Sequence, residues 1–245
     1  MWESIKSWFG SGSNSRANEY RRHKLALLKP KNLNRFPLFR ASPEGFTAPR
    51  TVDLRDYCPP TENQKDTPWC AAFSTSHWMS NIKWRITDKL PLYNAEDIYK
   101  KAKQIDGFPD QDGTTLTATL QVVRDEMKMF DPSCEIQTFY GPDGVESIKY
   151  AIHKFGCCLL GFLITQEWYN VTFDNSEIKG IDSPILGGHA VLACGYNKFG
   201  VIIQNSWGEG WGEYGYAVVS WDAVRKYLQY GAVLTRSLDG LALPK

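Results

Sequence analysis

The chain has 245 residues, a formal net charge of +1, 42% hydrophobic and 22% charged residues, the balance of a globular protein long enough to bury a core as one large domain or two lobes. No apolar run approaches the ~20 residues needed to span a bilayer, and residues 1–10 lack the continuous apolar stretch of a secretory signal. Six cysteines, Cys58, Cys70, Cys134, Cys157, Cys158 and Cys194, show no C-x-x-C spacing and no paired His-x-x-x-His accompanies them, so neither a metal site nor any other cofactor is expected.

Trp2, Ile5 and Phe9, with Trp8 beside them, predict a short amphipathic turn, followed by a Gly/Ser/Asn tether over 10–14. Docking on the protein's own domain or a neighbouring subunit, and contact with a membrane surface, are the readings of that turn. Eight Lys or Arg against one acid, Glu19, lie between Arg16 and Arg40. The remainder is therefore net acidic, and the basic leader is expected to fold back on it or to meet an anionic partner, with nucleic acid not anticipated. A helix is predicted over 20–29, stopped by Pro30, and irregular extended chain through Pro37, Pro43 and Pro49. This gives an extension over 1–50 and a compact domain over 51–245.

Helices are predicted over 71–86, with Ala71, Trp78, Ile82 and Ile86 on one face, over 94–103 with Asn94 as cap, over 114–127 opened by Thr114 or Thr115, and over 145–155. A turn-rich loop over 107–113 separates two of them. Short β-branched apolar runs follow at 158–164, 190–194, 201–204 and 214–219, then a helix over 221–229 and a strand over 232–235. Cys157 and Cys158 read as core packing. A helix-rich first half and a strand-rich second half predict an α+β, two-lobed molecule with a cleft between the lobes.

The candidate chemistry centres on Cys70, at the start of the 71–86 helix, where unsatisfied N–H groups favour a thiolate over the neutral thiol. A base is then required. Of the four histidines, His77 stands two turns along the same helix, on the order of 10 Å away, and reads as packed or capping; His23 and His153 read as solvated. His189, in Gly187-Gly188-His189-Ala190-Val191, enters a buried strand behind two glycines and is the best candidate base. Asn205 ends the 201–204 strand and is suited to orient the imidazole, with Trp207 shielding that bond from water.

Gln64, then Cys70, then His189 in G-H-A-V, then Asn205 in N-S-W-G-x-G-W-G-x-x-G-Y resemble the papain-like cysteine peptidases. The resemblance covers roughly 52–220. It implies that Cys70 is the nucleophile, His189 the general base and then acid, and Asn205 its orienting partner. Gln64 with the Cys70 N–H would form the oxyanion hole. Asp112, Gly113, Gly188 and Trp207 would line the substrate cleft, the fold would pair a helical N-terminal lobe with an antiparallel barrel-like C-terminal lobe, and the partner would be a polypeptide substrate.

The chain departs from the family pattern at Thr67-Pro68-Trp69. Thr67 stands where secreted members carry a cysteine, which agrees with a reducing compartment, and Pro68 and Trp69 are bulky enough to narrow the cleft wall. The lead-in at Asp53 to Pro60 is similar to microbial and viral members, so the expected location is cytoplasmic or within a viral or phage assembly. The leader is shorter than the family's lysosomal prosegments and reads either as an autoinhibitory segment or as a docking arm. The leading expectation is a cysteine endopeptidase. An acyl transferase or deamidase, or a papain-fold binding protein with little turnover, are the alternatives.

Overall fold

The computed structural model describes residues 23–32, 36–39, 46–130, 134–140 and 144–235. The expected amphipathic turn over 1–9 and the tether over 10–14 lie outside them. Among the described residues, no helix is long and apolar enough to cross a membrane.

Strand β1 (Val52–Asp53) precedes three helices, α1 (Cys70–Thr87), α2 (Ala95–Lys103) and α3 (Leu116–Phe130). Residues 70–82 of α1 are buried on all sides apart from Phe73, which is half-buried, so the one-face pattern expected from Ala71, Trp78 and Ile82 understates it. A buried helix still has to satisfy its hydroxyls. Thr75 and Ser74 donate to the Ala71 carbonyl at 2.7 and 3.1 Å, Ser80 to the Ser76 carbonyl at 2.9 Å, and Ser76 to the Tyr93 carbonyl at 2.6 Å. Asn94 caps α2 by accepting from the Asp97 N–H at 3.1 Å, and Thr115 does the same for α3 through Ala118.

The second half supplies β2 (Ile136–Phe139), α4 (Gly144–Phe155), β3 (Cys158–Ile164), β4 (Glu177–Ile178), β5 (Gly187–Tyr196), β6 (Gly200–Gln204), β7 (Tyr216–Ser220), α5 (Trp221–Tyr227) and β8 (Leu228–Leu234). They form one sheet in the order β2-β8-β3-β5-β6-β7-β4, with β1 added to β5; only the β4–β7 pairing is parallel. The predicted α+β class and two-lobed division hold. Helix α1 packs along β5 and α4 lies across β8, β5 and β3. Strand β3 is therefore apolar throughout instead of alternating. Cys157 and Cys158 are buried there as expected, and the Cys157 carbonyl accepts from the Trp78 indole N–H at 2.9 Å.

Residues 23–29 correct the predicted helix over 20–29, because the described part is extended. Leu27 pairs in parallel fashion with Thr114, giving Leu28 N–H to Thr114 O at 3.0 Å, Thr114 N–H to Ala26 O at 3.2 Å and Leu27 N–H to Gly188 O at 3.1 Å. Local helix propensity is worth only tenths of a kcal/mol per residue, and a row of main-chain partners in the body outweighs it. Further along, Phe36 and Phe39 join the core, and Phe39 pairs with Thr138.

Candidate active site

Cys70 is the first residue of α1, buried completely, with Trp69 before it in the cap position. Burial pushes its thiol upward from the ordinary value. The nearby backbone N–H groups of Ala190, Ala26, Ala71 and Cys70 itself partly oppose that rise. Ala190 follows His189 in β5, so the packing of α1 on that strand brings the thiol beside the imidazole's own segment. Trp69 turns its ring to Tyr99, 5.5 Å between centroids, and the Tyr99 hydroxyl accepts from the Gly113 N–H at 3.3 Å.

His189 is likewise buried, and its Nε2 stands 2.7 Å from Asn205 Oδ1. The same Oδ1 accepts from the Ser206 backbone N–H at 2.8 Å. A backbone N–H can only donate, so this contact fixes which end of the Asn205 amide faces the ring. Nε2 must then carry the hydrogen, and Nδ1 is left as the basic nitrogen. That Nδ1 is buried without a hydrogen-bond partner. Desolvation, partly offset by Asn205, drives the imidazole pKa down to about 4, which keeps the ring neutral and Nδ1 unprotonated at ordinary pH.

Trp207 covers this pair as expected. Its ring centroid is 4.9 Å from that of His189, and it stacks in parallel on Tyr169 at 5.0 Å and on His23 at 5.3 Å. His23, expected to be solvated, is in fact buried against Trp207, with its Nδ1 bonded to the Lys65 carbonyl. His77 is packed, its Nε2 3.1 Å from Glu62 Oε2.

Gln64 reaches the same place on a loop that pairs with the turn after β6. Gln64 N–H donates to Ser206 O at 2.8 Å, Gly208 N–H to Glu62 O at 3.0 Å, and Asn63 bridges to Trp207. The side chain is fixed at both ends. Oε1 accepts from Ser206 Oγ at 2.7 Å, while Nε2 donates to Thr67 O at 3.0 Å and to Lys24 O at 3.3 Å. Ser206 was not singled out in the sequence; only its place in the motif, between Asn205 and Trp207, marked it.

Asp112 pairs with Lys24 at 2.8 Å, both side chains largely exposed. Gly113 has φ +89°, and a Cβ there would lie 1.9 Å from the Ala26 carbonyl oxygen; one at Gly188 would lie 2.5 Å from that of Leu27. Both glycines are thus places where another main chain comes close. The loop that carries Asp112 and Gly113 is held by Lys103, whose Nζ binds buried Asp106 at 2.9 Å and the Phe108 and Gln111 carbonyls at 2.6 and 2.9 Å. Among the described residues no cluster of His, Cys, Asp or Glu could hold a metal ion, and all six cysteines are free.

The family model for papain family cysteine proteases matches residues 142–229, a span that contains His189 and Asn205 and stops short of Cys70 and Gln64. Mexicain from Jacaratia mexicana is 27% identical over 190 residues, 69% of this chain and 86% of its own length. The chain superposes on xylellain, a cysteine protease from Xylella fastidiosa, with a TM-score of 0.65 at 18% identity, over 87% of this chain and 96% of that one. It superposes on proCathepsin B S9 from Trypanosoma congolense with a TM-score of 0.66 at 15% identity, over 89% and 87%. The matched segment, the relative aligned along most of its length and the shared fold agree with one another: the chain is similar to the papain family cysteine proteases in sequence over 142–229 and in fold.

Proposed function

We propose that this chain is a cysteine endopeptidase whose nucleophile is Cys70, whose base and acid is His189, and whose oxyanion hole is built from Gln64 Nε2 and the Cys70 N–H. The observation that carries the reading is the fixed orientation of Asn205, which leaves a buried, unpartnered Nδ1 on His189 in the segment that packs against Cys70. The Cys70 thiol gives its proton to that Nδ1 and attacks the carbonyl carbon, forming the S–C bond while the carbonyl π pair moves to oxygen. Gln64 Nε2 and the Cys70 N–H receive the oxyanion; a donor of this kind contributes about 10² to 10³ in rate. The C–N bond breaks as His189 returns the proton to the leaving amine. Water, deprotonated by the same nitrogen, then cleaves the thioester and restores the thiol.

The substrate is an extended polypeptide. Thr114 and Gly188 offer N–H and C=O groups that an added strand can use, as residues 26–28 do in this structure, with Asp112, Gly113 and Trp207 bordering the path.

Digestion of a peptide library tests this. Internal cuts that end in free carboxylates, lost in Cys70→Ala and reduced about 100-fold or more in Gln64→Ala, are expected. Products capped by an added amine would point to acyl transfer instead. No cuts under conditions in which a thiol-directed epoxide labels Cys70 would overturn the reading.

A further inference from the structure

Three elements each bring one part of the site: α1 carries Cys70, the turn after β6 carries Asn205, and residues 62–64 carry Gln64. Gln64 is anchored through its N–H and its Oε1 to Ser206, and Glu62 O accepts from Gly208 N–H. These bonds fasten the 62–64 segment to the turn after β6, but they do not set its distance from α1. That distance matters, because the sulfur and the oxyanion donor must meet opposite ends of a single carbonyl bond, and a misplacement of about 1 Å costs on the order of 10² in rate.

The backbone that carries Gln64 depends on outside support. Lys65, next in the chain, has φ +53°, in the left-handed region that a residue with a Cβ occupies only when surrounding contacts hold it there. Asn63 Oδ1 accepts from Lys65 N–H at 2.8 Å, and Thr67 N–H donates to Gln64 O at 3.0 Å, which closes the turn.

His77 supplies the contact to α1. Seven residues at about 100° each return to within about 20° of the starting direction, so His77 lies on the same face of the helix as Cys70, about 10 Å further along its axis. The imidazole side chain is enclosed, only 2% exposed, and its ring meets that of Phe73 edge-on with 6.4 Å between centroids. Its Nε2 stands 3.1 Å from Glu62 Oε2, on a side chain that is 46% exposed. A carboxylate oxygen accepts, so Nε2 carries the hydrogen. Glu62, two residues before Gln64, thus has its backbone oxygen on the turn after β6 and its carboxylate on the nucleophile helix.

We propose that His77 and Glu62 are positioning residues for the oxyanion donor: the bond from Nε2–H to the carboxylate holds the loop of Gln64 against the helix of Cys70, so that the Gln64 amide and the sulfur reach the same carbonyl group. Both act through Gln64, and the proposal rests on the roles given above to Gln64 and Cys70.

Steady-state kinetics of the full chain carrying Glu62→Ala, Glu62→Gln, Gln64→Ala or Glu62→Ala with Gln64→Ala test this. The Glu62 side chain is half-exposed, so its truncation leaves no enclosed cavity. Glu62→Ala should lower kcat about 10-fold with KM within about twofold, and Glu62→Gln, whose amide oxygen still accepts from Nε2–H, should recover most of the loss. In the Gln64→Ala background the same truncation should change kcat by less than about twofold, because the group it positions is gone. Iodoacetamide alkylation of Cys70, which passes through no oxyanion, should proceed in Glu62→Ala at the wild-type rate. Full kcat in Glu62→Ala, a loss that multiplies with that of Gln64→Ala, or alkylation slowed in step with kcat would overturn the proposal and leave Gln64 as the oxyanion donor. Full kcat in Gln64→Ala would overturn both.

Discussion

Ser206 Oγ donates to Gln64 Oε1 across 2.7 Å, between two residues 142 positions apart in the chain. With its oxygen so occupied, the Gln64 amide has only its nitrogen to offer the site. Ser206 is a positioning residue in this account, and Ser206→Ala should let the amide rotate. A roughly 10-fold loss of kcat with little change in KM is expected, against ~10² to 10³ for Gln64→Ala, with activity partly recovered in Ser206→Thr. Steady-state kinetics of the three variants check it.

The bond from His189 Nε2 to Asn205 Oδ1 fixes the tautomer. Asn205→Asp replaces a neutral acceptor by a carboxylate at the same distance, and an opposite charge this close raises a histidine pKa by about 1 to 3 units. An NMR titration of the His189 ring should therefore move upward from about 4. An unmoved titration would mean that Oδ1 does not face the ring.

Burial of His189 also makes stability depend on pH. Its folded pKa of about 4 lies below the ordinary 6.5, so between these values the unfolded chain binds the proton more readily. The stabilisation is whole above pH 6.5 and is lost as pH falls toward about 4, amounting to about 3 kcal/mol over the full window. Urea unfolding at pH 6.5 and pH 5, above most carboxylate titrations, should show the wild type losing about 2 kcal/mol more than His189→Gln. Parallel slopes would contradict the neutral buried ring.

Much of this arrangement was legible in the sequence because it is local. Strand β3 came out at 158–164 with both ends in place, and Asn94 and Thr115 cap their helices as side-chain chemistry requires. His189 and Asn205 were marked by glycines and by a strand end, and their pairing follows from the adjacency of β5 and β6. What stayed hidden depends on distant partners. The 20–29 helix and the solvated His23 were local readings of a segment whose conformation is set by Thr114, Gly188 and Trp207. Ser206 carries no periodic or compositional mark, and only the pairing of residues 62–64 with 206–208 gives it a role.

Lys103 anchors the loop that leads to Asp112 and Gly113, through an ion pair in which the Asp106 side chain is wholly enclosed. Lys103→Met would leave that carboxylate buried without its cation, at a cost of about 3 kcal/mol. The melting temperature should fall by about 5 °C or more, and KM for peptides should rise as Thr114 loses its fixed position. Calorimetry and kinetics on the same preparation separate the two effects.

The central claim, that Cys70 is a thiol activated by His189, is tested most directly by a thiol-directed epoxide applied to the full chain, followed by peptide mapping. Stoichiometric modification at Cys70 alone, lost when His189→Ala is added, is the predicted result. Slow, comparable labelling of several cysteines, unchanged by His189→Ala, would contradict it.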